Sequence, residues 1–458
     1  MHIRFLTSVA SLAALAGMPG AGAQSAPPAP LRPVVLVSID GLKPEYIQRA
    51  DSLGLRIPTL RALAARGASA QGVIGVLPTV TYPSHATLVT GVAPTRHGIV
   101  SNTTFDPLMR NQGGWYWYAE DIKVPALWDA VRARGGTVAA VHWPVNVAAA
   151  ITWNVPQIWR TGTADDRKLV RALATPGLLD SLEARVGLPY ADGIDESIAG
   201  DERRARFVAR LIEWKRPTLA LGYLTAFDHE QHEAGPWTPK AFAVLERVDA
   251  ALDTIVQAAR RAYGDAVTIA VVSDHGFIAT HTEVHVGAAL VTAGLVTVPP
   301  DGEERPIDWR AMVWPSGGSA AIVLRDSTSA VLRDSVERAL RAVAADSANG
   351  IAAVLDRRAL DAAGAYPGAT WVLAFRPGYR VGYRLRGPLR RPVTGGTHGY
   401  LPSDPQMRAT FLVAGPDIPR GTSLGLADMR DVAPTLAARL GVTLHHADGR
   451  DLLVRVRR

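Results

Sequence analysis

Five stretches of the chain are almost continuously apolar: "PVVLVSID" (33–40), "TVAAVHWP" (137–144), "TLALGYLTAFD" (218–228), "VTIAVVSDHG" (267–276) and "TFLVAG" (410–415). Each is rich in aliphatic, often β-branched residues and lacks a regular apolar–polar alternation. Each is therefore expected to be a strand covered on both faces. Helical periodicity fills the intervals. "IPTLRALAARG" stops at Gly67 and "VPALWDAVRARGG" at a glycine pair, both carboxy-terminal stop signals. In "KAFAVLERVDAALDTIVQAARRAYG", Phe242, Leu245, Val248, Leu252, Ile255 and Ala259 recur at steps of three and four, drawing one apolar stripe along a helix. Strands alternating with helices predict an α/β fold, a mainly parallel sheet sandwiched by helices.

Residues 286–390 break that rhythm. "SAAIVL" leads into the helical "SAVLRDSVERALRAVAAD" and then "IAAVLD", while "WVLAFRPGYRVGYRL" alternates as two paired antiparallel strands do. A small inserted α+β subdomain is expected here, between a first core part at 33–285 and a last core part at 391–458. No internal repeat of fixed period is present.

The polar residues that close the apolar runs carry the next clue. Asp40 ends the first run, Asp228 the third, and Asp274–His275 the fourth. Ligands of parallel sheets bind at the carboxyl ends of strands, where the loops converge. Three acids from three strands would meet there.

Composition narrows the class. The 458 residues are 48% hydrophobic and 20% charged, as in folded globular proteins. The formal charge of +7 is spread without a basic block, which speaks against a dedicated nucleic-acid face. "MHIR", the apolar "FLTSVASLAALAGM" and "AGA" have the three parts of a secretory signal peptide, expected to be cut after Ala23, with 24–32 as a flexible Pro/Ala-rich lead-in. That run falls short of the about 20 residues of a membrane span, and no later one reaches it. An exported protein, periplasmic or extracellular, is expected. The chain has no cysteine, so thiolate nucleophiles and thiolate metal sites are excluded, and any metal is held by nitrogen and oxygen.

Three imidazoles join the three acids. His232 follows Asp228 by four residues, a spacing that puts both on one helical face; His275 follows Asp274; His398 lies in "GGTHGY". Such donors suit zinc and related divalent ions, and two ions would each receive about three protein ligands. Singly, each acid also fits a helix cap or a turn. The hydroxyl-rich "LPTVTYPSHATLVTG" (77–91) has a similar ambiguity: Thr81 either caps the helix that follows or is a nucleophile activated by a cation.

In order and approximate spacing, "SIDGL", "PTVTYPSHATLVTG" with "RHGIVSN", "FDHEQHEAGP", "VVSDHG" and "GGTHGY" resemble the type I phosphodiesterase/nucleotide pyrophosphatase branch of the alkaline phosphatase superfamily. "DMRDVAPTLAARLGV" looks like that superfamily's last core helix, so the resemblance runs from about residue 33 to 443. It implies an alkaline-phosphatase-like fold and two zinc ions. Asp40, Asp274, His275 and Thr81 would bind the first, and Asp228, His232 and His398 the second. The resemblance makes Thr81 the nucleophile and passes the reaction through a threonyl-phosphate. It makes Asn102 a hydrogen-bond donor to the phosphoryl oxygen, together with the backbone N–H of Tyr82. Tyr82 stands where relatives carry an aromatic that packs on the leaving nucleoside's base.

The expected function is thus a secreted two-zinc phosphodiesterase with nucleotide pyrophosphatase activity. Its partners would be small phosphate esters, nucleotides or nucleotide-like diesters. An alkaline phosphate monoesterase of the same fold, with Arg160 or Lys168 on the phosphate, and an inactive nucleotide-binding relative are the alternatives. His85 and His97 are expected in local hydrogen bonds, His229 outside the ligand set, His281 and His285 at a rim or exposed, and His445 and His446 at the surface.

Overall fold

Val34–Ile39 forms an inner strand of an eight-stranded sheet, in the computed structural model of the chain. The structure describes residues 30–111, 114–190 and 194–454; the expected signal peptide (1–23) and most of the lead-in lie outside them. The side chains of this strand alternate between two cores. Val34 and Leu36 join Leu127, Val131, Leu436 and Leu440 on one face, while Val35, Val37 and Ile39 join Leu245, Val248, Leu252 and Ile255 on the other. Burying each such aliphatic side chain stabilises the fold by about 1.5–3 kcal/mol.

The sheet runs Thr422–Ser423, Ala68–Ser69, Phe411–Ala414, Thr268–Val272, Val34–Ile39, Leu219–Leu224, Val138–Val141, Trp153–Val155. All five apolar stretches supply strands to it. Its centre is parallel, and Phe411–Ala414 runs antiparallel to Thr268–Val272, so the fold is α/β with a mainly parallel sheet. The three strands missed in the sequence, the two edges and Ala68–Ser69 beside one of them, are only two or three residues long, too short to carry a pattern.

The long stripe folds as the helix Pro239–Tyr263. Thr238 caps it by accepting the N–H of Ala241, and Pro239 occupies its first turn. Leu245, Val248, Leu252, Ile255 and Ala259 are buried and Phe242 lies at the stripe's margin. Among the described residues no helix is long and apolar enough to cross a membrane.

Between the core segments, Ala311–Ser316, Ser319–Leu324, Trp371–Phe375 and Ile351–Leu355 form an antiparallel sheet, with the helix Ala330–Ala345 in the same stretch of chain. The expected pairing within "WVLAFRPGYRVGYRL" is corrected here. Trp371–Phe375 pairs with Ser319–Leu324, whereas Tyr379–Val381 runs parallel to Thr282–Val284 in another sheet. Both segments bond to the same hairpin turn, Phe375 N–H to Gly318 O and Val381 N–H to Gly317 O, and that turn separates them.

Candidate active site

Thr268–Val272, Val34–Ile39 and Leu219–Leu224 are adjacent and parallel, in register from Val34 beside Leu219 and Thr268. Their carboxyl ends therefore finish side by side. Asp40 directly follows the middle strand, Asp274 lies just beyond one neighbour, and Asp228 sits in the first turn of the helix Ala226–Ala234 that follows the other. His232 is one turn further along that helix. His398 arrives from the far side of the chain, in the loop after the two-residue strand Gly396–Thr397.

These six side chains meet. His275 Nε2 lies 3.4 Å from Asp40 Oδ1 and 3.2 Å from Asp274 Oδ2. His232 Nε2 is 3.3 Å from Asp228 Oδ2, and His398 Nε2 is 4.0 Å from Asp228 Oδ1. The His275 and His398 rings stack at 3.7 Å. Donor atoms of Asp40, Asp274 and His275 form one mutually close group, and those of Asp228, His275 and His398 a second, each within 4.8 Å.

Each imidazole directs Nδ1 at a backbone carbonyl: His232 at Gly396 O (3.1 Å), His275 at Gly276 O (3.2 Å), His398 at Thr79 O (3.1 Å). With Nδ1–H as the donor, Nε2 keeps its lone pair, and all three Nε2 atoms face carboxylates. Second-sphere bonds of this kind orient metal-binding histidines. Asp40 Oδ1, Asp228 Oδ1, Asp274 Oδ2 and His275 Nε2 are buried without a hydrogen-bond partner among the described residues. Orphaned acceptors are costly unless something positive satisfies them. The donor set thus fits divalent cations.

The proton affinities carry the same strain. Burial, and then the charges of Asp228 and Asp274, push Asp40 well above the usual carboxylate range. Burial also raises Asp274 and lowers His275 to about 4. At Asp228 the upward push of burial is outweighed by His232, His398 and His275, and the carboxyl is held low. Three crowded buried acids are a poor arrangement for a protein alone and a good one for a cation cradle.

Thr81 opens the helix Thr81–Thr90 beside this cluster and lines a cavity of about 790 Å³ with Asp40, Asn102, Asp228 and His398. The cap position is Val80, and the Thr81 hydroxyl makes no hydrogen bond among the described residues, so it is not tied up as a cap. Asn102 Oδ1 accepts the N–H of Tyr82 at 2.9 Å. One expectation for Tyr82 changes with this. Its N–H is engaged by Asn102 and not open to a phosphoryl oxygen. Its ring packs against Trp115 and Trp117 with no accessible surface, yet the residue belongs to the cavity's lining. The cavity's lining also includes the partly buried Trp115 and Trp159, and Tyr383, which is 70% exposed.

Arg160 bonds to Asn111 and Lys168 to Asp165, both at the surface, so neither reaches the cluster; Arg167 is the cavity's one lysine or arginine among the described residues. His85 and His97 are buried in local hydrogen bonds. His229 pairs with Glu196 outside the cluster. His281 is exposed, but His285 is buried beside Glu283 and corrects the rim expectation. One residue was missed: Tyr223, whose hydroxyl donates to Asp40 Oδ2 and leaves Oδ1 for a cation. A hydroxyl inside a strand buried on both faces was the available signal.

Comparison with known proteins adds the lineage. The model of the "Type I phosphodiesterase / nucleotide pyrophosphatase" family matches residues 34–401. Human ectonucleotide pyrophosphatase/phosphodiesterase family member 5 is 28% identical over 257 residues, 53% of this chain and 44% of that protein. Rat family member 3 is 24% identical over 261 residues, 53% of this chain and 25% of that protein. The chain spans less than half the length of the curated relatives it matches first. The solved structure of human ectonucleotide pyrophosphatase/phosphodiesterase 5 has the same fold (TM-score 0.66, 21% identity, 91% of this chain and 97% of that one). So does the murine protein, solved as an inactive variant in complex with AMP (TM-score 0.66, 19% identity, 93% and 99%).

Proposed function

The chain belongs to the type I phosphodiesterase/nucleotide pyrophosphatase family, and from that premise we propose that it hydrolyses phosphodiesters of nucleotides or nucleotide-like alcohols through Thr81. Asp40, Asp274, His275 and Thr81 would hold one zinc ion and Asp228, His232 and His398 a second. When bound, such ions lower the proton affinity of a hydroxyl and offset charge on phosphoryl oxygens. The observation that carries the proposal is the convergence of four buried acceptor atoms, without partners among the described residues, beside the Thr81 hydroxyl, which makes no hydrogen bond among them either.

The chain's own residues then have distinct tasks. Thr81 Oγ1 attacks phosphorus, forming a threonyl-phosphate as the bond to the leaving alcohol or nucleotide breaks. Water hydrolyses that ester and restores the hydroxyl. Asn102, its carbonyl held by Tyr82, offers its amide hydrogens to the phosphoryl oxygen on which charge grows. Trp115, Trp159 and Tyr383 give the second substituent an apolar wall.

The lining favours diesters over monoesters. A monoester dianion gains from cations on its extra oxygens, and the lining holds the acids Asp166, Asp195 and Glu196 as well as Arg167. Comparing kcat/KM for thymidine 5′-(4-nitrophenyl phosphate) and for 4-nitrophenyl phosphate, on protein of measured zinc content, tests this. Diester preference is expected; strong monoester preference makes the protein a phosphatase, and silence toward both with retained nucleotide binding makes it an inactive relative.

A further inference from the structure

Behind the cavity lies a buried polar tier that the reaction itself does not use. Tyr82, next to Thr81 in sequence, donates its hydroxyl to Gln157 Oε1 at 2.8 Å. Both residues are essentially inaccessible, at 0% and 1% exposure. Gln157 is fixed in turn: its N–H donates to Asn146 Oδ1 (3.2 Å), and Asn146 and Asn154 exchange two bonds of 2.7 Å. These amides follow or belong to the strand Val138–Val141 and the edge strand Trp153–Val155, so the tier is rooted in the sheet.

Tyr82 reaches the site from that root in two directions. Its backbone is continuous with Thr81, and its N–H holds Asn102 Oδ1. Pro83 follows and has no N–H, so Tyr82 supplies the amide donor there. The ring is wedged at 5.2 Å from Trp115 and edge-on to Trp117 at 5.9 Å. Any shift of this side chain moves the nucleophile and the oxyanion donor together. Errors of the order of an ångström in such geometry cost rate steeply.

We propose that Tyr82 is a positioning residue, whose buried bond to Gln157 sets Thr81 and Asn102 against each other. The inference rests on the roles assigned to Thr81 and Asn102 above. Two functions of Tyr82 separate by substrate. Loss of a base platform affects only substrates with a base, whereas loss of positioning affects every diester by the same factor and appears in kcat.

The test uses Tyr82→Phe, which keeps the ring and removes only the hydroxyl, on two diesters: thymidine 5′-(4-nitrophenyl phosphate) and methyl 4-nitrophenyl phosphate, whose retained substituent has no ring. Expected is a fall in kcat of about tenfold on both, with KM changed by no more than about twofold. Gln157→Leu should give the same loss, and the double variant should be no slower than either single one. Gln157→Leu also reads the bond from the other side if Tyr82→Phe does not fold. Unchanged kcat in the variants, additive losses, or a loss confined to the thymidine diester overturns the inference while leaving the phosphodiesterase intact. A zinc-loaded wild type silent on both diesters overturns the phosphodiesterase assignment and this inference with it.

Discussion

Gly317 and His398 touch backbone to backbone. A Cβ on Gly317 would stand 2.3 Å from the His398 carbonyl oxygen, and the N–H of Gly318 donates to that same oxygen at 2.8 Å. The hairpin Ala311–Leu324, far from the sheet edge in sequence, thus presses its turn onto the loop that carries a candidate metal ligand. Gly317 also has φ +63, where side chains other than glycine are strained.

Gly317→Ala should therefore displace His398. Expected are a lower zinc stoichiometry and a fall in kcat/KM of about tenfold or more, with a stability loss of about 1–2 kcal/mol from the left-handed backbone. Metal analysis and diester kinetics check it. Wild-type values in both would show that the hairpin does not hold the ligand.

Thr81→Ala should keep zinc binding and lose turnover by about a thousandfold or more, because the hydroxyl is a reacting atom and not a bonded cap. Titration of the metal into the variant and single-turnover kinetics separate these two outcomes. Near-normal turnover would remove Thr81 from the mechanism.

Chelation should abolish activity and lower the melting temperature, and zinc should restore both. Saturation at about a hundred times the dissociation constant stabilises by about 2.7 kcal/mol. Asp274→Asn, which removes one charge from the crowded cluster, should melt no lower than the wild type without metal and should lose the zinc-dependent rise. A wild type indifferent to zinc by calorimetry contradicts the cation cradle.

His97 predicts an acid-sensitive fold. Its Nδ1 accepts the N–H of Ile99 at 3.1 Å and its Nε2 faces Thr87 Oγ1 at 3.0 Å. Burial, against the backbone bonds, lowers this imidazole to about 3. The unfolded chain takes up the proton near pH 6.5 and the folded one does not, so stability is full above that pH and falls as pH drops toward 3. At pH 5 the loss from this group is about 2 kcal/mol. Denaturant melts of wild type and His97→Gln at pH 7 and 5 check it: the variant should lose less than the wild type.

Some features were legible because they are local. A short aliphatic run with no alternation, rich in β-branched residues, reads as a strand covered twice, and an acid that closes such a run lies at that strand's carboxyl end or just beyond it, as Asp228 does. Asp40, Asp228 and Asp274 were found this way, and His232 by its spacing from Asp228. Other features had no local trace. "WVLAFRPGYRVGYRL" has the alternation of a hairpin, yet the turn at Gly317–Gly318 takes a bond from each half and leads them into different sheets.

The sequence by itself determined the α/β core, the strand ends that carry the acids, and the residue types able to hold a cation, since periodicity and side-chain chemistry are properties of neighbouring positions. Tertiary structure alone decided that the Tyr82 hydroxyl bonds Gln157, that Tyr223 bonds Asp40, and that the Gly317 turn packs on the His398 loop. Each depends on segments tens to hundreds of residues apart being packed together, and burial is created by that packing.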